Sequence, residues 1–195
     1  LKRTAGICKK IRTLSAAALQ AVEVGERARL GDSGAGVYLP TLAQVAEDLQ
    51  RFPEVTAFVE LKRQSLAVFG VDEMVEHVLA ALHEVLEQCV FISFIKESLY
   101  EIRRTLPEHA VGLVLREWND ANRAAAEALK PEHLLVDHKK VLPGVSPWPG
   151  DWRWTCYDIV DPEQALTLHA RGFDMISTFD IGGMIAALGN VETIR

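Results

Sequence analysis

Apolar residues come in short runs separated by longer amphipathic stretches. The runs are residues 57–62 (AFVELK), 89–94 (CVFISF), 110–115 (AVGLVL), 133–138 (HLLVDH), 153–157 (RWTCY) and 175–178 (MIST). Each is rich in Val, Ile, Phe or Leu and most have no polar face, as strands of a parallel sheet buried on both sides read. From the second run onward their centres lie about 21 residues apart, the length of a strand, a helix and two short loops.

The intervals carry helical patterns. Residues 71–88 place Met74, Val75, Val78, Leu79, Leu82, Val85 and Leu86 on one stripe, with Asp72 as the expected N-cap. Asp161-Pro162-Glu163-Gln164 has a capping Asp, a first-turn Pro and Gln three residues after the cap, and Gly172 follows, so 162–171 is expected to be helical. Asn119 or Asp120 opens another helix that Pro131 closes, and 96–106 and 41–52 fill two more intervals, the last with Thr41 and Gln44 at capping-box spacing. Alternating strands and helices with right-handed crossovers give an open doubly wound sheet or a closed barrel. With no glycine-rich nucleotide loop, the reading is an α/β fold of the TIM (β/α)8 barrel type. Six units are legible and the chain opens on Leu1, so one barrel domain over residues 1–195, missing its first two strands, is expected.

Composition adds limits. Apolar residues make up 49% of the 195 and charged residues 25%, enough for a core; the net charge of −6, with no basic patch, argues against a nucleic-acid partner. No apolar stretch is long enough to span a membrane, and no signal peptide is evident. Cys8, Cys89 and Cys156 are widely spaced, and the latter two fall in strand runs as small apolar residues, so a cytoplasmic location is expected.

In a parallel barrel the chemistry lies at the carboxyl ends of the strands. Glu60 and Lys62 share one face of the first run because side chains alternate with period two. A carboxylate there suits a hard cation such as Mg2+ or Ca2+, and the ammonium suits a phosphate oxygen; an ordinary ion pair at a strand end fits the spacing equally well. Ser93, Glu117, Asp137, His138, Trp154 and Tyr157 also fall at or beside run ends and together form a ring of candidates. His77, His83, His109 and His169 read as surface or capping residues, and of Trp148, Trp152 and Trp154 only the last is placed to line a ligand. Gly31-Asp32-Ser33-Gly34 imitates a serine-protease nucleophile loop, but no His precedes Ser33, and a loop of small residues accounts for it.

These residues resemble the glycerophosphodiester phosphodiesterases. The likeness is carried by Leu39-Pro40-Thr41-Leu42, by Glu60-Leu61-Lys62 matching a Glu-x-Lys motif, by Ser93-Phe94, and by Trp154-Thr155 followed by Asp161–Ala165, Gly172-Phe173-Asp174 and Ser177-Thr178. Leu1-Lys2-Arg3-Thr4 is similar to a stretch early in the family's insertion. The resemblance implies a small-molecule glycerophosphodiester substrate, hydrolysed to an alcohol and glycerol 3-phosphate by metal-assisted acid/base catalysis. Glu60 would be a ligand of a divalent cation (Mg2+ or Ca2+), Lys62 would hold the phosphate as a catalytic residue, and Ser93 and Trp154 would contact substrate, Trp154 on the glycerol side. The family's two histidines and remaining metal ligands lie in segments expected before Leu1, so residues 1–195 alone are expected to be inactive. Tyr157 stands where many members carry Asn, and Ser177 where some carry Glu. The alternatives are a truncated barrel that only binds, or a TIM-barrel phosphodiesterase of the phosphatidylinositol-specific phospholipase C type.

Overall fold

The structure is a computed structural model and describes residues 1–189. The chain divides into two compact units, Leu1–Val55 with Ala80–Leu86, and Thr56–Leu79 with the chain from Glu87 onward.

The first unit holds the short helices α1 (Lys2–Ala5), α2 (Ala16–Gln20) and α3 (Arg27–Leu30), and the longer α4 (Leu42–Gln50). α4 starts where the capping box predicts: the Thr41 hydroxyl accepts from the Gln44 N–H at 3.2 Å, and the Gln44 side chain accepts from the Thr41 N–H at 2.8 Å. The Gly31–Gly34 segment is a 3₁₀ turn in which Ser33 Oγ donates to the Leu30 carbonyl at 2.6 Å, a local bond with no catalytic partner. Gly34 is needed because its backbone meets that of Gly25 so closely that a Cβ on either would overlap the other's carbonyl oxygen.

The second unit is an α/β layer structure. Its strands are β1 (Ala57–Glu60), β2 (Cys89–Ser93), β3 (Val111–Leu115), β4 (His133–Asp137), β5 (Arg153–Tyr157) and β6 (Met175–Ile176), all parallel and ordered along the sheet as along the chain. All six apolar runs are therefore strands. Every residue of β2 and β3 is buried, as strands covered on both faces require. Cys89 and Cys156 belong to this buried set; burial pushes the Cys156 thiol up to about 12, so it behaves as an apolar group.

The helices after β1 depart from the sequence pattern. A helix not anticipated, α5 (Arg63–Phe69), comes first and ends at Gly70, whose φ of 84° is one that glycine adopts readily. α6 (Val71–Ala81) follows, so Asp72 lies in the first turn rather than at the cap. The expected single helix over 71–88 does not run through: His83–Gln88 is 3₁₀, with a non-helical Val85 (φ −129°, ψ 19°). The apolar stripe survives because a 3₁₀ turn still puts Leu82 and Val85 on the buried side. Beyond, α7 (Lys96–Thr105), α8 (Asp120–Leu129) and α9 (Pro162–Ala170) sit where expected, with Asn119 and Asp161 as side-chain caps, and α10 (Ile181–Leu188) is capped by Asp180.

Between β4 and β5 there is no α-helix. After a single 3₁₀ turn at His138–Lys140 the connection is held by aromatic packing: Trp118 lies 4.5 Å from Trp148 and 5.0 Å from Trp154, and Phe173 lies 5.9 Å from Trp154. Arg171 fastens the same segment by donating to the Leu142 and Val145 carbonyls.

Candidate functional site

Strand alternation decides what the sheet presents. Phe58 and Glu60 on β1, Ile92 on β2, Val114 on β3, Leu135 on β4 and Thr155 on β5 all line one cavity of about 600 Å³. Residues of the other parity, such as Phe91, Leu134, Trp154 and Cys156, are buried on the opposite face. Gly112 keeps the strands close on the cavity side, since a Cβ there would come within 2.8 Å of Ile92 and 2.9 Å of Leu135 side-chain atoms.

Glu60 ends β1 and Lys62 precedes α5; the two form an ion pair and both line this cavity, with side-chain exposures of 23% and 63%. A second cavity, about 450 Å³, adjoins at the carboxyl ends and shares Glu60, Lys62, Phe94 and Tyr157 with the first. It adds Arg63, Arg116, Glu117, Asp137 and Lys140. Lys140 pairs with Glu117 at 2.8 Å, and Asp137 accepts from the Lys139 N–H at 2.9 Å. The Tyr157 hydroxyl is held above its ordinary range by burial and by Asp137, Asp158 and Glu60, so it stays a neutral donor at the junction. Asp158, just past β5, keeps a left-handed φ of 64° and lines the first cavity, a conformation that Asp tolerates better than most residues.

Of the sequence candidates, Glu60, Lys62, Glu117, Asp137 and Tyr157 come together, and Ser177 joins the first cavity. Two do not. Ser93 is fully buried, and its hydroxyl is used within the fold, donating to the Leu61 carbonyl at 2.9 Å and accepting from the Ile95 N–H at 3.0 Å; it ties two loops rather than meeting a ligand. Trp154 lies near the start of β5 and on the opposite parity from Tyr157, so it is 2% exposed in the tryptophan cluster and not in the cavity wall. His138 Nδ1 is 3.1 Å from the Tyr157 carbonyl, beside the site. His77, His83, His109 and His169 each have a ring nitrogen against a backbone carbonyl elsewhere, in keeping with a supporting role. The residues missed were Phe58, Arg63, Phe94, Arg116 and Lys140. For Arg63 and Arg116 the signal was available, because each directly follows the end of a predicted strand.

The donor set does not fit a Mg2+ or Ca2+ ion as it stands. Such ions take six or more oxygens, whereas Glu60 already faces Lys62 and, among the described residues, no three His, Cys, Asp or Glu side chains group to hold a metal. No helix among the described residues is long and apolar enough to cross a membrane.

The six parallel strands with their helices define the class of fold, an α/β sheet of partial-barrel type, and solved structures share it. The chain is similar to a phosphodiesterase from Oleispira antarctica in complex with the product sn-glycerol-3-phosphate, at a TM-score of 0.80 and 20% identity over 97% of this chain and 76% of that one. It is similar as well to glycerophosphodiester phosphodiesterases from Parabacteroides distasonis (TM-score 0.69, 16% identity, 92% and 72% covered) and Agrobacterium tumefaciens (0.67, 16%, 96% and 77%). At these identities the likeness is one of fold, and it extends the resemblance read from the sequence. No protein-family model and no curated protein matches the chain.

Proposed function

We propose that the chain serves a phosphoric diester hydrolase of the glycerophosphodiester phosphodiesterase type, its six strands being six of the eight in a (β/α)8 barrel. The observation that carries this reading is the Glu60–Lys62 pair at the carboxyl end of β1, lining the cavity of a sheet whose fold is shared with such enzymes. Hydrolysis adds water to phosphorus and breaks the bond to the alcohol oxygen, which leaves with a proton; the other product is glycerol 3-phosphate. On this reading Lys62 turns from Glu60 to a phosphoryl oxygen, where a charge-assisted bond replaces the ion pair. Tyr157, kept neutral, can donate a second bond.

Proton transfer is where the described residues give least. No histidine among them lines either cavity, and positioned acid/base groups typically contribute about 10²–10⁴-fold. Release of glycerol 3-phosphate from glycerophosphocholine, followed by a coupled dehydrogenase, is therefore expected to be no faster for residues 1–195 than for Lys62→Ala. A chain extended with the preceding segments in which the resemblance expects the two histidines is expected to be faster. If the extended chain releases nothing from any glycerophosphodiester, the reading of hydrolysis is wrong. Binding without turnover is the second reading; the same lack of histidine favours it, and it would be chosen if the extended chain binds but does not hydrolyse.

A further inference from the structure

The charges of the smaller cavity, about 450 Å³ at the carboxyl ends of the strands, do not cancel. Four cations line it, Lys62, Arg63, Arg116 and Lys140, against the three carboxylates of Glu60, Glu117 and Asp137. Each lysine has an acid: Lys62 pairs with Glu60, and Lys140 pairs with Glu117 at 2.8 Å. Asp137 accepts from the Lys139 N–H at 2.9 Å and lies 3.7 Å from His138 Nδ1. Among the described residues, no carboxylate pairs with the guanidinium of Arg63 or of Arg116. An exposed arginine without an acid is ordinary in itself. These two stand apart because the chain carries a net charge of −6, yet both open into the cavity that holds Lys62.

Arg116 is also held in place. Its guanidinium lies 6.0 Å from the centroid of the Phe94 ring, and its backbone carbonyl accepts from Lys140 Nζ. Lys140, in the turn after β4, thus fixes the loop after β3, and by pairing with Glu117 it occupies the acid next to Arg116 in sequence. β3 and β4 each have a strand on both sides, so this part of the cavity is built by the middle of the sheet and not by its edges.

A guanidinium stays charged at any physiological pH and binds phosphate through two parallel N–H bonds. A phosphate monoester carries about −1.5 to −2 at pH 7, which matches two unpaired guanidinium groups. A choline group, being cationic, meets the same charges with the wrong sign. Resting on the phosphodiester reading, we infer that Arg116, together with Arg63, binds a second phosphate carried by the alcohol, so that the site selects glycerophosphodiesters of phosphorylated alcohols. The diester phosphate lies at Lys62 and the monoester at the two arginines.

The test is calorimetric titration of the full chain with glycerophosphoinositol and with glycerophosphoinositol 4-phosphate, which differ only in the second phosphate. The 4-phosphate is expected to bind about tenfold more tightly, the effect of a charge-assisted bond at an exposed site. Arg116→Gln is expected to lower that ratio to about threefold or less, and Arg116→Lys, which keeps the charge but loses the fork, to retain part of it. Equal affinity of the parent for the two compounds overturns the inference, as does an undiminished ratio in Arg116→Gln. In either case, weaker binding of both compounds by Lys62→Ala leaves the phosphodiester reading standing. If Lys62→Ala binds both as the parent does, or the parent binds neither, that reading fails and the inference falls with it.

Discussion

His133 sits where a charge is least welcome. Its ring meets Phe58 edge-on at 5.1 Å, its Nδ1 is buried without a partner, and burial, with Arg153 adding to it, lowers its pKa despite Glu132 and Asp174. Below about 6.5, the ordinary histidine value, the unfolded chain binds this proton more readily than the folded one. Stability from this group is therefore present above that pH and lost as pH falls through the lowered folded value. Urea unfolding between pH 7.5 and 5 should show the loss, and His133→Phe should flatten it; an equal pH slope in the variant would remove His133 as the cause. At this scale the sequence showed Glu60 and Lys62 through period-two alternation. The same parity, counted back from Tyr157, puts Trp154 on the far face, so strand parity is a stronger signal there than nearness to a run end. Ser93 was hidden for another reason: whether a hydroxyl at a strand end meets a ligand or a neighbouring loop depends on contacts distant in sequence, here with Leu61.

At the scale of elements, strands and capped helices were legible because their signals are local: buried apolar runs, and Thr41, Asn119 and Asp161 at N-caps. α5 was not, since Leu66 is buried while Val68 and Phe69 are about half exposed, so its apolar run has no clear stripe. The β4–β5 connection gave no helical signal, and its order comes from tertiary contacts instead. Trp148 fixes it, packing on Trp118 and accepting through its carbonyl from both Trp152 Nε1 and Trp154 Nε1, each at 3.1 Å. Trp148→Ala should cost about 2 kcal/mol, roughly half of what a fully buried Trp costs, because Trp148 is only half-buried. Chemical denaturation measures this directly, and a loss below about 0.5 kcal/mol would mean the connection is held by something other than the tryptophan cluster.

For the whole molecule, the account turns on whether the acid–base pair at the end of β1 belongs to a phosphate site or is only an ion pair. Fold similarity cannot decide this, because one fold hosts many chemistries. Binding of sn-glycerol 3-phosphate to the full chain and to Lys62→Ala, by calorimetry, is the most direct measurement. Charge-assisted hydrogen bonds contribute about 1.5–3 kcal/mol, and with Lys62 63% exposed the lower end applies. Saturable binding by the parent, weakened about tenfold in Lys62→Ala, is the expected result. Equal binding by the two proteins, or none by the parent, would contradict the phosphate site and leave Glu60 and Lys62 as a surface ion pair.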